Sequence, residues 1–136
     1  MENIPELHFI LRMALATFLG LCIGIERQRF GKIAGIRTYS TMALATSLFT
    51  LMAIKLFPSE QTPIIIAAII ISAGLVSART YVVDQNKVQD FSNIVALWAT
   101  TAIAVAVSYG MFIAGATAAF LLIAIYILKD FIEPQK

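Results

Sequence analysis

Long apolar blocks alternate with short polar interruptions along the whole chain, and the block lengths suit a bilayer better than a globular core. The first block, Leu7 to Ile25, would nearly cross the hydrocarbon layer as a helix rising about 1.5 Å per residue. Pro5 suits its first turn. The second block runs from Thr38 to Phe57 and stops at Pro58, where Pro58-Ser59-Glu60-Gln61-Thr62-Pro63 reads as a short turn. The third runs from Ile64 to Val83. Its isoleucine triplets would suit a buried strand in a soluble protein, but so long an apolar stretch predicts a helix. The last block, Phe91 to Leu128, exceeds a single crossing of about 20 residues. Gly110, preceded by Ser108 and Tyr109, is its best internal breaker, and Asp90 and Ser92 are candidate N-caps for the helix that opens it. The pattern thus predicts an all-α integral membrane protein. About five transmembrane helices are expected, over 7–25, 38–57, 64–83, 91–109 and 111–128, in a single transmembrane domain spanning residues 1–136.

Charge adds an orientation. Of the ten Lys and Arg, four (Arg27, Arg29, Lys32 and Arg37) fall in the loop between the first two blocks. Basic residues in short loops are retained on the cytoplasmic side, so this loop faces inward. Five spans then put the N-terminus outside and the C-terminus in the cytoplasm, with Arg79, Lys87, Lys129 and Lys136 also at the inner face. Composition agrees with this class: 60% of the residues are apolar and 13% charged, against about 25% charged in soluble domains. Mean hydropathy is +0.86. A net charge of +2 reports topology here and implies no nucleic-acid partner. The acidic N-terminus and Arg12 speak against a cleavable signal peptide. Cys22, the only cysteine, has no partner for a disulfide or a thiolate metal site.

Few residues offer chemistry. Arg12 lies inside the first span, where an unpaired charge costs several kcal/mol, so it either snorkels to the interface or pairs within the bundle. Below it, Ala16, Gly20 and Gly24 form a small-residue stripe ending in a GxxxG match, which serves packing within the chain or a dimer. Glu26 lies close to four turns after Arg12, so both charges project from nearly one face. Thr46, Ser47, Thr50, Ser72, Ser77, Thr100 and Thr101 supply hydroxyls that act as helix glue or line a permeation path. Arg79, Asp84, Lys87 and Asp90 cluster at the inner end of the third block and in the loop that follows it. They form a solvated loop, or Arg79 pairs with Glu26 or Asp84, or Asp84 and Asp90 hold Mg2+. Trp98, Tyr81, Tyr39 and Tyr109 fit an aromatic belt near span ends. No catalytic set, nucleotide loop or metal-spaced His/Cys group is present, so no enzyme activity and no cofactor are expected.

The segment Leu19-Gly20-Leu21-Cys22-Ile23-Gly24-Ile25-Glu26-Arg27-Gln28-Arg29, followed by Ala34-Gly35-Ile36-Arg37-Thr38, resembles the MgtC/SapB family. Matching positions are Gly20, Gly24, Glu26, Arg27, Ala34, Gly35, Arg37 and Thr38, and Arg12 matches an arginine near the start of that family's first helix. Ala96-Leu97-Trp98 and the alanine-rich run to Tyr109 look like its fourth helix. Two segments depart from the family pattern. Gly74-Leu75-Val76-Ser77-Ala78-Arg79 keeps only the first glycine of a glycine-rich run, and Asp90-Phe91-Ser92-Asn93-Ile94-Val95 replaces a GLTTAA-type segment. Ending at Lys136, the chain is expected to lack the C-terminal soluble domain of longer members.

The resemblance implies a multi-pass protein of the bacterial plasma (inner) membrane, in a family linked to growth at low magnesium and survival inside hosts. In its best-known members, regulation through other membrane proteins is favoured over direct Mg2+ transport. The expected protein is therefore non-enzymatic and works through Arg12, Glu26, Arg27, Arg37 and Arg79, binding other membrane proteins and itself, with a dimer favoured. Glu26 is expected to pair with Arg37 or Arg79. The competing expectation is an oligomeric transporter or channel subunit for Mg2+ or another small ion, its path lined by Thr46, Thr50 and the Arg12/Glu26 face.

Overall fold

The computed structural model describes residues 5–78, 82–84, 87–89 and 91–132. Among these, the order is α1 (Glu6–Arg29), α2 (Ile36–Leu56), α3 (Thr62–Ala78), β1 (Val82–Asp84), β2 (Lys87–Gln89), α4 (Phe91–Ser108) and α5 (Phe112–Ile132). Five helices are thus present. Glu6–Arg29, Ile36–Leu56 and Phe112–Lys129 are long and apolar enough to cross a membrane, while Thr62–Ala78 and Ser92–Ser108 are apolar but shorter.

Local chemistry sets the helix ends. α1 runs past the apolar block to Arg29 because Gly31, at φ 67°, supplies the left-handed residue that closes a Schellman motif. Its N–H donates to the Gln28 carbonyl at 3.1 Å, and that of Lys32 to the Arg27 carbonyl at 3.2 Å. Gly110 does the same for α4 at φ 87°, with Gly110 N–H on Val107 O at 2.9 Å and Met111 N–H on Ala106 O at 3.0 Å. The expected break at Gly110 therefore has a backbone cause. α2 ends at Leu56 because Pro58 disfavours helical backbone in Phe57, which is extended at φ −115° and ψ 148°.

The third helix departs from expectation. It spans Thr62–Ala78 among the described residues, and Val82–Asp84 pairs antiparallel with Lys87–Gln89, with Val83 opposite Val88 and Asp84 opposite Lys87. Val82 and Val83 look like the tail of an apolar helix in sequence, yet β-branched residues on either side of a polar tetrapeptide suit a short hairpin equally well.

α4 is the hub, packed against all four other helices, while α1 and α2 make the most extensive single pairing. Where α1, α2 and α4 meet, the core is Ala16, Ala43, Ala104 and Val107, small enough for close backbone approach. The stripe expected on α1 lies in this junction. A Cβ on Gly20 would sit 2.6 Å from the Ala43 Cβ and 2.7 Å from the Tyr39 carbonyl oxygen, and one on Gly24 would sit 2.7 Å from the Ile36 Cα. The stripe is therefore used for packing within the chain. Large apolar residues face outward, Ile113 at 85% exposure and Ile64 at 72% among them, as lipid contact requires.

In lipid, helix association rests on such close packing and on hydrogen bonds. Gly20→Ala forces backbone and methyl apart and is expected to cost about 1–3 kcal/mol. At Gly74 a Cβ would meet only Trp98, at 3.7 Å. Gly74→Ala should therefore be neutral or slightly stabilising. Unfolding midpoints in detergent micelles would check the contrast.

Candidate functional site

Glu26 and Arg27 occupy the last turn of α1, and both are buried, Arg27 to 1% exposure. The guanidinium of Arg27 reaches the opening turn of α4. Its Nη2 donates to Ser92 Oγ at 2.7 Å and to Asn93 Oδ1 at 3.1 Å, and its Nε to Asn93 Oδ1 at 3.3 Å. Tyr39, on the first turn of α2, donates its hydroxyl to the same Asn93 oxygen at 3.2 Å. On α5, the ring of Tyr126 lies 4.2 Å from the guanidinium carbon, and its hydroxyl donates to the Ser92 carbonyl at 3.1 Å. One cation thus ties four helices together.

Magnitudes show why it stays. Burying a charge costs several kcal/mol, yet hydrogen bonds to charged groups return about 1.5–3 kcal/mol each and a desolvated cation–π contact about 2. Tyr39 is fully buried in this cluster, so it does not belong to the aromatic belt in which the sequence placed it. Trp98 lies well inside α4, packed near Gly74, and Tyr109 is exposed at the end of α4. Tyr81 lies outside the described residues.

Arg12 belongs to a second cluster. It is half-buried, and its Nη1 donates to the Ser108 carbonyl at 2.8 Å, at the negative end of α4. The Phe112 ring is 6.0 Å away. The Ser108 hydroxyl meets Ser47 of α2 at 2.8 Å, so this end also joins α1, α2 and α4. Arg12 and Glu26 are separated by about 21 Å of helix, so the single charged face read from the sequence resolves into two clusters at opposite ends. Arg37 is exposed on the first turn of α2, and among the described residues no ion pair joins it to Glu26. Arg79 and Asp90 lie outside the described residues, as does the side chain of Asp84, so the pairing with Arg79 and the Mg2+ reading fall there too.

The hydroxyls expected either as glue or as a path are mostly bonded to their own helices. Thr50 donates to Thr46 O at 2.8 Å, Thr100 to Ala96 O at 2.8 Å, Thr101 to Leu97 O at 3.2 Å and Ser77 to Ala73 O at 2.7 Å. Among the described residues, no group of three or more His, Cys, Asp or Glu is placed to hold a metal ion. Asn93, Ser92 and Tyr126 are functional candidates that the sequence reading did not connect to Arg27. Their signal was a polar Ser-Asn pair opening an apolar block, together with the lone tyrosine of the last helix. Asn93→Ala removes the Oδ1 that accepts from the Arg27 cation and is expected to cost about 3 kcal/mol or more; Tyr39→Phe, losing its neutral bond to Asn93, should cost about 1. Unfolding of the two variants in micelles would test that ranking.

The MgtC family model matches residues 13–135. YhiD of Escherichia coli (strain K12), whose name marks it as a candidate magnesium transporter, is 28% identical over 116 residues, covering 76% of this chain and 52% of its own length. MgtC of Salmonella typhimurium (strain LT2) is 30% identical over 112 residues, covering 82% of this chain and 48% of its own. An uncharacterized protein of Synechocystis sp. is 29% identical over 104 residues, covering 76% and 44%. The chain therefore spans about half the length of the curated relatives it matches. No solved structure gives a significant match. With nearly every described residue inside the matched region, the chain belongs to the MgtC family.

Proposed function

We propose that this chain is a non-enzymatic, multi-pass protein of the bacterial inner membrane, acting through other membrane proteins in adaptation to low magnesium or host stress. The carrying observation is where its polar groups go. Most of the hydroxyls and arginines able to line a path are bonded between or within helices: Ser47 to Ser108, Arg12 to Ser108 and Arg27 to Ser92 and Asn93. A bundle closed in this way suits a binding scaffold better than a conduit. In this reading the basic first loop is cytoplasmic, the N-terminus outside and the C-terminus inside, following the positive-inside rule. Self-association belongs to the same reading, through a lipid-facing surface, since the α1 stripe is filled within the chain.

Transport is the second reading, favoured by the name of the E. coli relative. It requires an oligomer to build a path, because most of the polar side chains inside the bundle are engaged among the described residues. Proteoliposomes holding only this chain separate the two. Mg2+ entry is expected to match protein-free vesicles, while in a cell assay of growth at low magnesium Glu26→Gln and Arg27→Gln abolish whatever benefit the chain confers. Saturable Mg2+ entry, lost in Glu26→Gln, would overturn the first reading in favour of the second.

A further inference from the structure

Arg37 and Thr38 remain unused by the packing. With Thr41 they form the polar rim of a groove of about 390 Å³ whose other described lining residues are Met42, Ala45, Val76 and Leu97. Three helices contribute: Arg37 to Ala45 from α2, Val76 from the end of α3, and Leu97 from α4. The rim lies within the first two turns of α2, and the floor reaches Ala45, about 12 Å along that helix from Arg37. Polar groups therefore sit at the end of the helices, with hydrocarbon-like surface below.

The rim has an acceptor-seeking character. Arg37 is exposed and, among the described residues, makes no ion pair or side-chain hydrogen bond. Thr17, Thr50, Thr100 and Thr101 each donate their hydroxyl to the carbonyl four residues back. Thr38 and Thr41 do not, leaving both hydroxyls available to a ligand. Among the described residues lining the groove Arg37 is the only charged one, so the field they set there favours an anion. We infer that this groove holds an anionic phospholipid, its phosphate on the Arg37 guanidinium and the Thr38 and Thr41 hydroxyls, and an acyl chain against Met42, Ala45, Val76 and Leu97. Guanidinium matches phosphate in shape and charge, and basic pockets between transmembrane helices are where anionic head groups settle. This stands apart from whether the protein transports or binds partners.

Native mass spectrometry of the full chain released from phosphatidylcholine nanodiscs doped with phosphatidylglycerol reads the site directly. The wild type is expected to retain phosphatidylglycerol about fivefold over phosphatidylcholine. Arg37→Gln should erase the preference, whereas Arg29→Gln, removing an exposed charge outside this groove, should keep it. Val76→Trp fills the floor at a residue that is 61% exposed, and should lower retention with Arg37 still in place. Equal losses in Arg37→Gln and Arg29→Gln would show general attraction to a basic membrane face and overturn the assignment. So would an absence of preference in the wild type, or undiminished retention in Val76→Trp.

Discussion

A guanidinium sealed from water must be solvated by the protein around it, and at Arg27 that requirement shapes one whole end of the molecule. The Asn93 oxygen can accept along two lone pairs, yet Arg27 and Tyr39 both bring donors to it, which fixes the amide orientation with its oxygen toward the cation. Ser92 is engaged twice, by its hydroxyl to Arg27 and by its carbonyl to Tyr126. Shifting any one of α1, α2, α4 or α5 by a helical step would strand one of these groups. The register of the four helices therefore depends on Arg27 more than on any apolar contact, because lipid gives apolar faces no reason to prefer each other.

Small residues convert that register into packing. With Gly20 and Gly24 on α1, the backbones of α1 and α2 approach closely enough that a single added methyl would collide. This proximity brings Tyr39 within reach of Asn93 at one end and Ser47 within reach of Ser108 at the other. Arg12 closes the second end by accepting the role of cap to α4, whose Schellman bonds use the Ala106 and Val107 carbonyls and leave that of Ser108 for the guanidinium. The two arginines are thus complementary: one binds the start of α4 and the other its end.

Most of the fold was legible because block length and glycine position are one-dimensional signals. The number of helices, the break at Gly110 and the turn at Pro58 all follow from residues acting on their own backbone. Val82 and Val83 misled because hydropathy does not distinguish the end of a helix from a β-branched hairpin arm. The site was legible by half. Arg27 and Arg12 stood out as charges near apolar runs, but their partners are backbone carbonyls, a hydroxyl, an amide and a ring, none of which announces itself by charge. Tyr39 illustrates the difficulty, since a tyrosine near a helix end reads as interfacial until the fold shows that the end is covered by a neighbour.

The segment that carries the family resemblance divides by physical role. Gly20 and Gly24 permit the α1–α2 contact, Arg27 locks it, Ala34 is buried beneath it, and Gly35 leaves room for Gln28, whose side-chain oxygen accepts from the Ile36 N–H at 3.4 Å. These residues build the structure. Arg37 and Thr38 lie on the outer side of the same turn, exposed, with no role in holding α2 to its neighbours. A fold that needed only to place α2 would accept many residues at these two positions. Their place on the rim of a groove whose described lining carries no acid accounts for an arginine followed by a threonine in a way that packing does not.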